Sequence, residues 1–107
     1  MDLDRLKLVL KTLADDTRLR IVSLLLDNRE ISVKEICGAL GINQPSVSKH
    51  LGKLRLVRIV NDKRIGNSVF YSLNTESDHR IIQIIISNFS NLVEIFKEDK
   101  ERLSKLV

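Results

Sequence analysis

The residues that decide the fold are 41–56, GINQPSVSKHLGKLRL, which predict a tight turn followed by a short helix. Gly41 ends the preceding helical pattern, because the C-terminal cap of a helix often needs a positive φ. Gln44 and Pro45 begin the new helix, since proline fits the first turn, where its missing N–H is not needed. The apolar residues of this helix recur at helical spacing and predict a buried stripe of Val47, Leu51 and Leu54.

The opposite face of this helix is small, polar and basic. With about 100° between successive residues, the side chains that point away from the buried stripe are those of Pro45, Lys49, Gly52 and Leu56, flanked by Ser46, Ser48 and Lys53. On a lone surface helix such a face would indicate solvation. Here a second short helix precedes it, opened by Ser32 and Glu35 in the spacing of a capping box. The pair therefore predicts a helix-turn-helix.

Further helices and a hairpin surround this unit. Apolar residues at intervals of three or four predict a helix over residues 2–13 and a second helix. Residues 15–17 offer caps for the second helix, which is expected to stop near residues 27–28. After Leu56 the spacing changes to alternation, and a basic, Gly-containing segment at residues 63–67 separates two apolar runs. This pattern predicts a β-hairpin with a basic tip. A hairpin directly after a helix-turn-helix is placed to lie against a phosphate backbone or a minor groove, although charged tips also serve solubility alone.

A long apolar segment predicts one last helix over residues 78–105. Its apolar side chains cover an arc of roughly 200°, about twice the width that one contact surface needs. We therefore expect this helix to pack on its own domain and also on a second copy of the chain across a two-fold axis, with a merely well-buried helix as the alternative. Asn88 lies within the arc and is expected to fix the register of the dimer. The expected interface also uses helix 2–13 and comprises Leu3, Leu6, Leu10, Ile81, Ile82, Ile85, Phe89, Leu92 and Phe96.

Composition agrees with a single domain, 1–107. Of the 107 residues, 43% are hydrophobic and 30% are charged, which is enough for one modest core. The formal net charge of +4 favours a polyanionic partner. A single cysteine excludes an intramolecular disulfide, and the lack of a signal-peptide pattern or of an apolar run of about 20 residues predicts a cytoplasmic protein with no membrane partner.

The predicted fold class is mostly α with a β-hairpin wing. It is a winged helix-turn-helix in which four helices are followed by two strands and a fifth helix, and which forms a homodimer through the terminal helices.

Three segments resemble the signature blocks of one family. They are LADDTRLRI at residues 13–21, INQPSVSKHL at residues 42–51 and VFYSL at residues 69–73. In sequence, order and spacing they resemble the ArsR/SmtB regulators, and the resemblance extends from Leu3 to Phe96. It implies a dimeric repressor that binds double-stranded DNA. A small effector, usually a toxic metal ion, would release this repressor from its operator.

The resemblance also implies which residues contact DNA. The matching positions are Gln44, Pro45, Ser46, Ser48, Lys49 and Lys53 on the helix and Lys63, Arg64 and Asn67 on the wing. The chemistry agrees, because Gln can bridge an adenine, Ser can donate or accept a hydrogen bond, and Lys can neutralise a phosphate. His50 is included with an alternative, because its place near the buried edge equally suits a hydrogen-bonded structural histidine. Arg18 is not included, because Asp15 and Asp16 offer it ion-pair partners.

The chain departs from the thiolate metal motif of the family it resembles. Where arsenic and cadmium/lead regulators carry Cys-x-Cys, this chain has Ser32 and Lys34. Cys37 is left alone, whereas soft metals need several thiolates. A lone cysteine on an apolar helix face is most often a small core residue. The alternatives are a redox or alkylation sensor, or a bridge between subunits.

The imidazole metal motif is missing as well. Where zinc regulators carry histidines on the last helix, the corresponding positions here are Arg80, Asn91 and Glu94. His79 follows Asp78 directly, and neighbours on a helix point about 100° apart, so they are poorly placed to share one ion. We therefore expect no metal site and no cofactor.

Other functions are weighed against this interpretation. The sequence offers no cluster of His, Cys or carboxylate groups suited to acid–base or nucleophilic catalysis, so we expect no enzyme. A winged helix can instead bind DNA nonspecifically or without an effector, or bind proteins or structured RNA. A small-molecule effector, a redox signal through Cys37, or no effector at all remain open.

Overall fold

The computed structural model describes residues 2–76, 79–89 and 92–106. In chain order these residues form helices α1 (Leu3–Leu13) and α2 (Asp16–Asp27), strand β1 (Ile31–Ser32), helices α3 (Val33–Leu40) and α4 (Gln44–Leu56), strands β2 (Val60–Ile65) and β3 (Ser68–Leu73), and helices α5 (His79–Ser87) and α6 (Glu94–Leu106). The predicted winged helix-turn-helix fold is confirmed.

The boundaries of α1 to α4 follow from side-chain caps that lie next to each helix in the sequence. At α3, Glu35 N donates to Ser32 Oγ and Ser32 N donates to Glu35 Oε1, each at 3.1 Å, so the predicted capping box is present. Asn43 caps α4, since Ser46 N donates to its Oδ1 at 3.0 Å. Gly41 ends α3 in the left-handed region, with φ of 68°. These local bonds fix the turn between α3 and α4.

The core lies between α2, α3, α4 and the sheet. Val47, Leu51 and Leu54 of α4 are fully buried, which confirms the predicted stripe. The large side chains that pack with them are Ile21, Leu24, Ile36, Ile59 and Val60, all less than 2% exposed. Burial at this level is worth roughly 1.5–3 kcal/mol for each large apolar side chain. The stripe therefore anchors α4 and leaves its opposite face at the surface.

The sheet contains the predicted hairpin and one strand that was not predicted. β2 and β3 are antiparallel and run from the pair Val60–Leu73 to the pair Ile65–Ser68, with Gly66 at φ of 61° in the turn. Strand β1 pairs with the other edge of β3, where Ile31 lies opposite Tyr71. It has only two residues, too few for alternation to identify from the sequence.

The prediction of one continuous helix over residues 78–105 is wrong. The described part of this segment contains two helices: α5 ends at Ser87, and α6 begins at Glu94, seven positions later. Asn88 contributes to the break, because its Nδ2 donates to the Ile84 carbonyl at 2.8 Å, an alternative to helix propagation. A continuous helix would also be about 42 Å long, whereas the longest dimension of the molecule is 38 Å. The break lets α6 turn back onto α2 and α3.

The structure divides the residues expected at the dimer interface into two groups. Surface positions are Leu3, Leu10, Phe89 and Leu92, which are exposed, and Leu6, Ile81 and Ile85, which are half-buried. Ile82 and Phe96 are buried within their own chain, so their assignment to the interface is corrected. Both face inward because α5 and α6 cover the core from two directions. Asn88 is exposed at the end of α5 and not within an apolar arc.

Among the described residues, the structure contains no helix that is long and apolar enough to span a membrane.

Candidate nucleic-acid interface

Helix α4 carries the candidate interface on the face opposite its buried stripe. The exposed residues on this face are Gln44, Pro45, Ser48, Lys49 and Lys53, while Ser46 and Gly52 are half-buried. No acidic residue occurs between Gln44 and Leu56. The structure thus brings the helix residues predicted to contact DNA onto one positively charged surface.

The wing continues this surface. The predicted wing residues Lys63, Arg64 and Asn67 are all exposed near the hairpin turn. A groove of about 380 Å³ connects the beginning of α4 to the wing, and its lining includes Lys34, Gln44, Asn67 and Ser68. Helix and wing residues therefore line one concave surface. Lys34, an exposed cation in the first turn of α3, also lines this surface, although sequence reasoning did not select it. The available signal was its position in the first helix of the helix-turn-helix.

The cations of this surface differ in whether the chain neutralises them. Lys49, Lys53 and Arg64 form no ion pair or side-chain hydrogen bond within the described residues. By contrast, Lys63 Nζ lies 3.1 Å from Glu30 Oε2. At the base of the wing, Arg55 Nη1 lies 3.5 Å from Asp62 Oδ2. Lys49, Lys53 and Arg64 are thus the cations most available to an external anion.

His50 lies at the edge of this face in a polar cluster of its own. Arg18 Nη1 is 3.1 Å from His50 Nδ1, and Arg18 Nε donates to the Thr12 carbonyl at 2.6 Å. A guanidinium can only donate, so in this contact Arg18 is the donor and Nδ1 the acceptor. Asp15 Oδ2 lies 3.6 Å from the same Nδ1. The geometry supports the structural alternative for His50 and pairs Arg18 with Asp15, as expected for Arg18.

The carboxylate of Asp15 stays charged in this cluster. Partial burial raises its pKa, but the hydrogen bond from the Arg18 amide and the charge of Arg18 outweigh burial, so the pKa lies below the ordinary value. Asp15 also caps α2 through that Arg18 amide at 3.0 Å. The cluster therefore connects the beginning of α2 to α4.

A buried ionic cluster fixes the end of α3 that leads into the turn. Asp99 of α6 is fully buried and accepts two hydrogen bonds from Arg20, at 2.8 and 2.9 Å, and one from Arg102, at 2.6 Å. The same arginines donate to the last carbonyls of α3: Arg20 Nη2 to Leu40 and Arg102 Nε to Ala39. The side-chain hydrogen bond with Asp99 raises the pKa of Arg20. Sequence reasoning missed this cluster, which holds α3 immediately before the turn.

The described part of the chain does not place Cys37 in a cluster of metal-ligating side chains. Within the described residues there is no group of three His, Cys, Asp or Glu side chains that could hold a metal ion. Asp78 and Asn91 lie outside the described residues. Cys37 is half-buried, and burial raises the pKa of its thiol, which keeps it protonated at neutral pH.

The fold and this surface define a class of protein, the winged helix-turn-helix domains, in which a second short helix and a wing lie side by side on one face. Comparisons with known proteins agree. The family model described as bacterial regulatory protein, arsR family, matches residues 15–62.

Two curated relatives illustrate the similarity. The regulator KmtR of Mycobacterium tuberculosis is 42% identical over 74 residues, which are 69% of this chain and 56% of KmtR. The chain thus matches little more than half the length of KmtR. The transcriptional activator HlyU of Vibrio cholerae is 36% identical over 77 residues, which are 72% of this chain and 70% of HlyU.

Solved structures show the same fold. Reduced HlyU from Vibrio cholerae superposes with a TM-score of 0.74 at 32% identity, covering 85% of this chain and 90% of HlyU. The homodimeric winged helix-turn-helix DNA-binding domain Mb0332 from Mycobacterium bovis, a fragment of residues 1–100, gives a TM-score of 0.72 at 30% identity, covering 84% and 83%. This chain belongs to the arsR family of bacterial regulatory proteins. The family consists of transcription regulators, which are not enzymes.

Proposed function

We propose that the chain is a homodimeric, sequence-specific repressor that binds an inverted repeat in double-stranded DNA. The observation that carries the proposal is the outer face of α4, which is free of acidic residues, carries unpaired Lys49 and Lys53, and continues through a groove into the wing. A helix with such a face fits the major groove, which is about 12 Å wide.

The contacts divide by chemistry. Gln44, at the exposed beginning of α4, reads a base edge, because its amide offers one donor and one acceptor to an adenine. Lys49, Lys53 and Arg64 bind phosphates. Ser46 and Ser48 bind either a phosphate or a base edge. Lys63 joins them only when phosphate replaces Glu30, with which it is paired in the free chain. Counterion release then makes affinity strongly dependent on salt.

Dimerisation is proposed from the exposed apolar side chains of α1 and of the α5–α6 region. Leu3 is 71%, Phe89 52% and Leu92 77% exposed, which is more apolar surface than an isolated domain needs. Mb0332, which has the same fold, is a homodimer. A two-fold axis would place the two α4 helices in successive major grooves, about one helical turn apart, and this spacing requires an inverted repeat.

Leu92→Glu tests the dimer without disturbing the core, because the Leu92 side chain is mostly exposed. We expect a folded monomer with weakened DNA binding, measured by sedimentation equilibrium and circular dichroism. Leu106→Glu, which adds the same charge to another exposed leucine, is the control and should leave the oligomeric state unchanged. A wild-type chain that is monomeric at micromolar concentration would refute the dimer.

The effector is proposed to be something other than a thiolate- or imidazole-bound metal ion. Cys37 has no second thiolate beside it, and His50 is engaged by Arg18. The remaining choices are a small molecule, a redox signal or no effector. An effector would act on the angle between the two subunits, with a coupling of about 1–3 kcal/mol.

The direct experiment is selection of bound duplexes from a random DNA pool, followed by anisotropy titration of the selected duplex and a scrambled one at two salt concentrations. We expect an enriched inverted repeat that binds far more tightly than the scramble, and reduced transcription when it overlaps a promoter. Equal, salt-sensitive binding of both duplexes would indicate a nonspecific DNA-binding protein. No DNA binding would favour a protein or RNA interaction module.

A further inference from the structure

Arg58, directly after the recognition helix, has an unusual backbone conformation. Its φ is 66°, and it is the one non-glycine residue with a positive φ among the described residues. The other positive φ values belong to Gly41 and Gly66, where the missing Cβ removes the steric penalty. A bulky residue in this region is rare and is strained. The position would be filled with less strain by glycine.

The fold imposes this conformation from both sides. Ile59 N donates to the Leu54 carbonyl at 2.9 Å and Arg58 N donates to the Arg55 carbonyl at 3.0 Å, which closes the end of α4. Asn74, after β3, donates through Nδ2 to the Arg58 carbonyl at 3.1 Å and through its backbone N to the Ile59 carbonyl at 2.9 Å. The turn has to reverse tightly because Ile59 and Val60 enter the core.

Among the described residues, the Arg58 side chain has no structural partner. It is exposed, and it forms no ion pair or side-chain hydrogen bond within the part of the chain that the structure describes. Arg58 and Glu76 line one surface groove of about 480 Å³, and within the described residues they form no ion pair with each other. The strain at Arg58 is therefore not offset by a contact inside the chain. The fold explains the backbone conformation but not the choice of an arginine there, and strained residues cluster at functional sites.

The surroundings of Arg58 indicate which kind of ligand its guanidinium would bind. Lys53, one turn before the end of α4, is exposed and unpaired, and it lies one helical turn beyond Lys49 on the same face. Arg58 follows these two lysines at the end of the same helix. A guanidinium presents a fork of donors that suits phosphate oxygens.

We infer that Arg58 is a phosphate-contacting residue of the DNA interface, which extends the cationic row of α4 past the end of the helix. The inference rests on the proposed function. It assigns Arg58 a role that opposes stability: the residue strains the fold and strengthens binding. A structural arginine would do the reverse.

This opposition gives a test with two independent measurements. In Arg58→Gly, Tm should rise by about 2–5 °C as strain is relieved, less the entropy that glycine adds to the unfolded chain. DNA affinity at about 0.1 M salt should fall roughly five- to tenfold per protomer, and the slope of log affinity against log salt should become shallower by about one unit per protomer. The loss should be the same for the selected and the scrambled duplex, because phosphates carry no sequence information.

Three variants separate charge from backbone. Arg58→Asn tolerates the left-handed region but lacks the charge, so it should reproduce the loss of affinity. Arg58→Lys should restore the salt slope, since one point charge is kept. Lys105→Asn removes an exposed, unpaired cation from α6 and should leave both quantities near wild type.

Unchanged affinity and salt slope in Arg58→Gly and Arg58→Asn would overturn the inference, as would a fall in Tm that accounts for weaker binding. If the wild-type chain binds no DNA at all, the proposed function itself fails. The two failures are therefore distinguishable.

Discussion

The buried cluster of Arg20, Asp99 and Arg102 and the open row of Lys49, Lys53 and Arg58 use positive charge in opposite ways. In the cluster, the chain supplies the counter-charge: Asp99 is fully buried and accepts three hydrogen bonds from the two arginines. In the row, the chain supplies none within the described residues. Cations that the chain neutralises therefore hold the helix-turn-helix in place, whereas the others are available for phosphates.

The largest effect is expected from removing the buried carboxylate of the cluster. Asp99→Ala leaves two arginines facing each other at the end of α3, and removing one partner from a buried pair typically costs about 3–5 kcal/mol. We expect the free energy of unfolding in urea to fall by about 3 kcal/mol, since Arg102 is partly exposed. Glu98→Ala, at the exposed neighbouring position, is the control and should change stability by less than about 0.5 kcal/mol. Equal effects of the two variants would show that the cluster does not hold α3.

The next effect separates base contacts from phosphate contacts on the exposed face of α4. Gln44→Ala should lose about 1–3 kcal/mol of discrimination at one base pair of the selected duplex, because a base edge is no longer read. Lys49→Ala, its matched control on the same face, should weaken binding to every duplex and make the salt slope shallower by about one unit per protomer. Binding of single-base variants of the operator measures both. If Gln44→Ala weakens the selected and the scrambled duplex equally, Gln44 does not read a base.

The smallest effect concerns Lys63, a cation that the chain neutralises only through an exposed ion pair. Because its ion pair with Glu30 is largely exposed, the pair is worth at most about 1 kcal/mol. Glu30→Gln frees Lys63 for phosphate, so we expect DNA affinity to rise by roughly two- to fivefold at low salt and stability to stay the same. Asp27→Asn, which removes an acidic group that pairs with Lys100 away from the wing, should not raise affinity to this extent. Lower affinity in Glu30→Gln would show instead that Glu30 positions the wing for binding.

The sequence predicts the helix-turn-helix well because its determinants are local. The capping box of Ser32 and Glu35, the left-handed Gly41 and the Asn43 cap all act within three or four residues. The same holds for the wing, whose turn lies between two strands that are adjacent in sequence. Local hydrogen bonds and periodicity can be recognised in the sequence without knowledge of the fold.

Features that depend on distant partners could not be predicted. Arg20 and Asp99 are 79 residues apart, and no periodicity links them. The apolar arc at residues 78–105 was equally compatible with core and interface, so Ile82 and Phe96 were assigned to the interface although the break between α5 and α6 buries them. The strain at Arg58 was invisible because arginine carries no turn signal.

The central claim is that the outer face of α4 and the wing bind DNA while α6 holds the fold. The most direct measurement is titration of the selected duplex into ¹⁵N-labelled protein, with amide shifts followed residue by residue. We predict the largest shifts at residues 44–53 and 63–67, with a further shift at Arg58 and little change at residues 94–106. Shifts concentrated on α6, with α4 and the wing unaffected, would contradict the account.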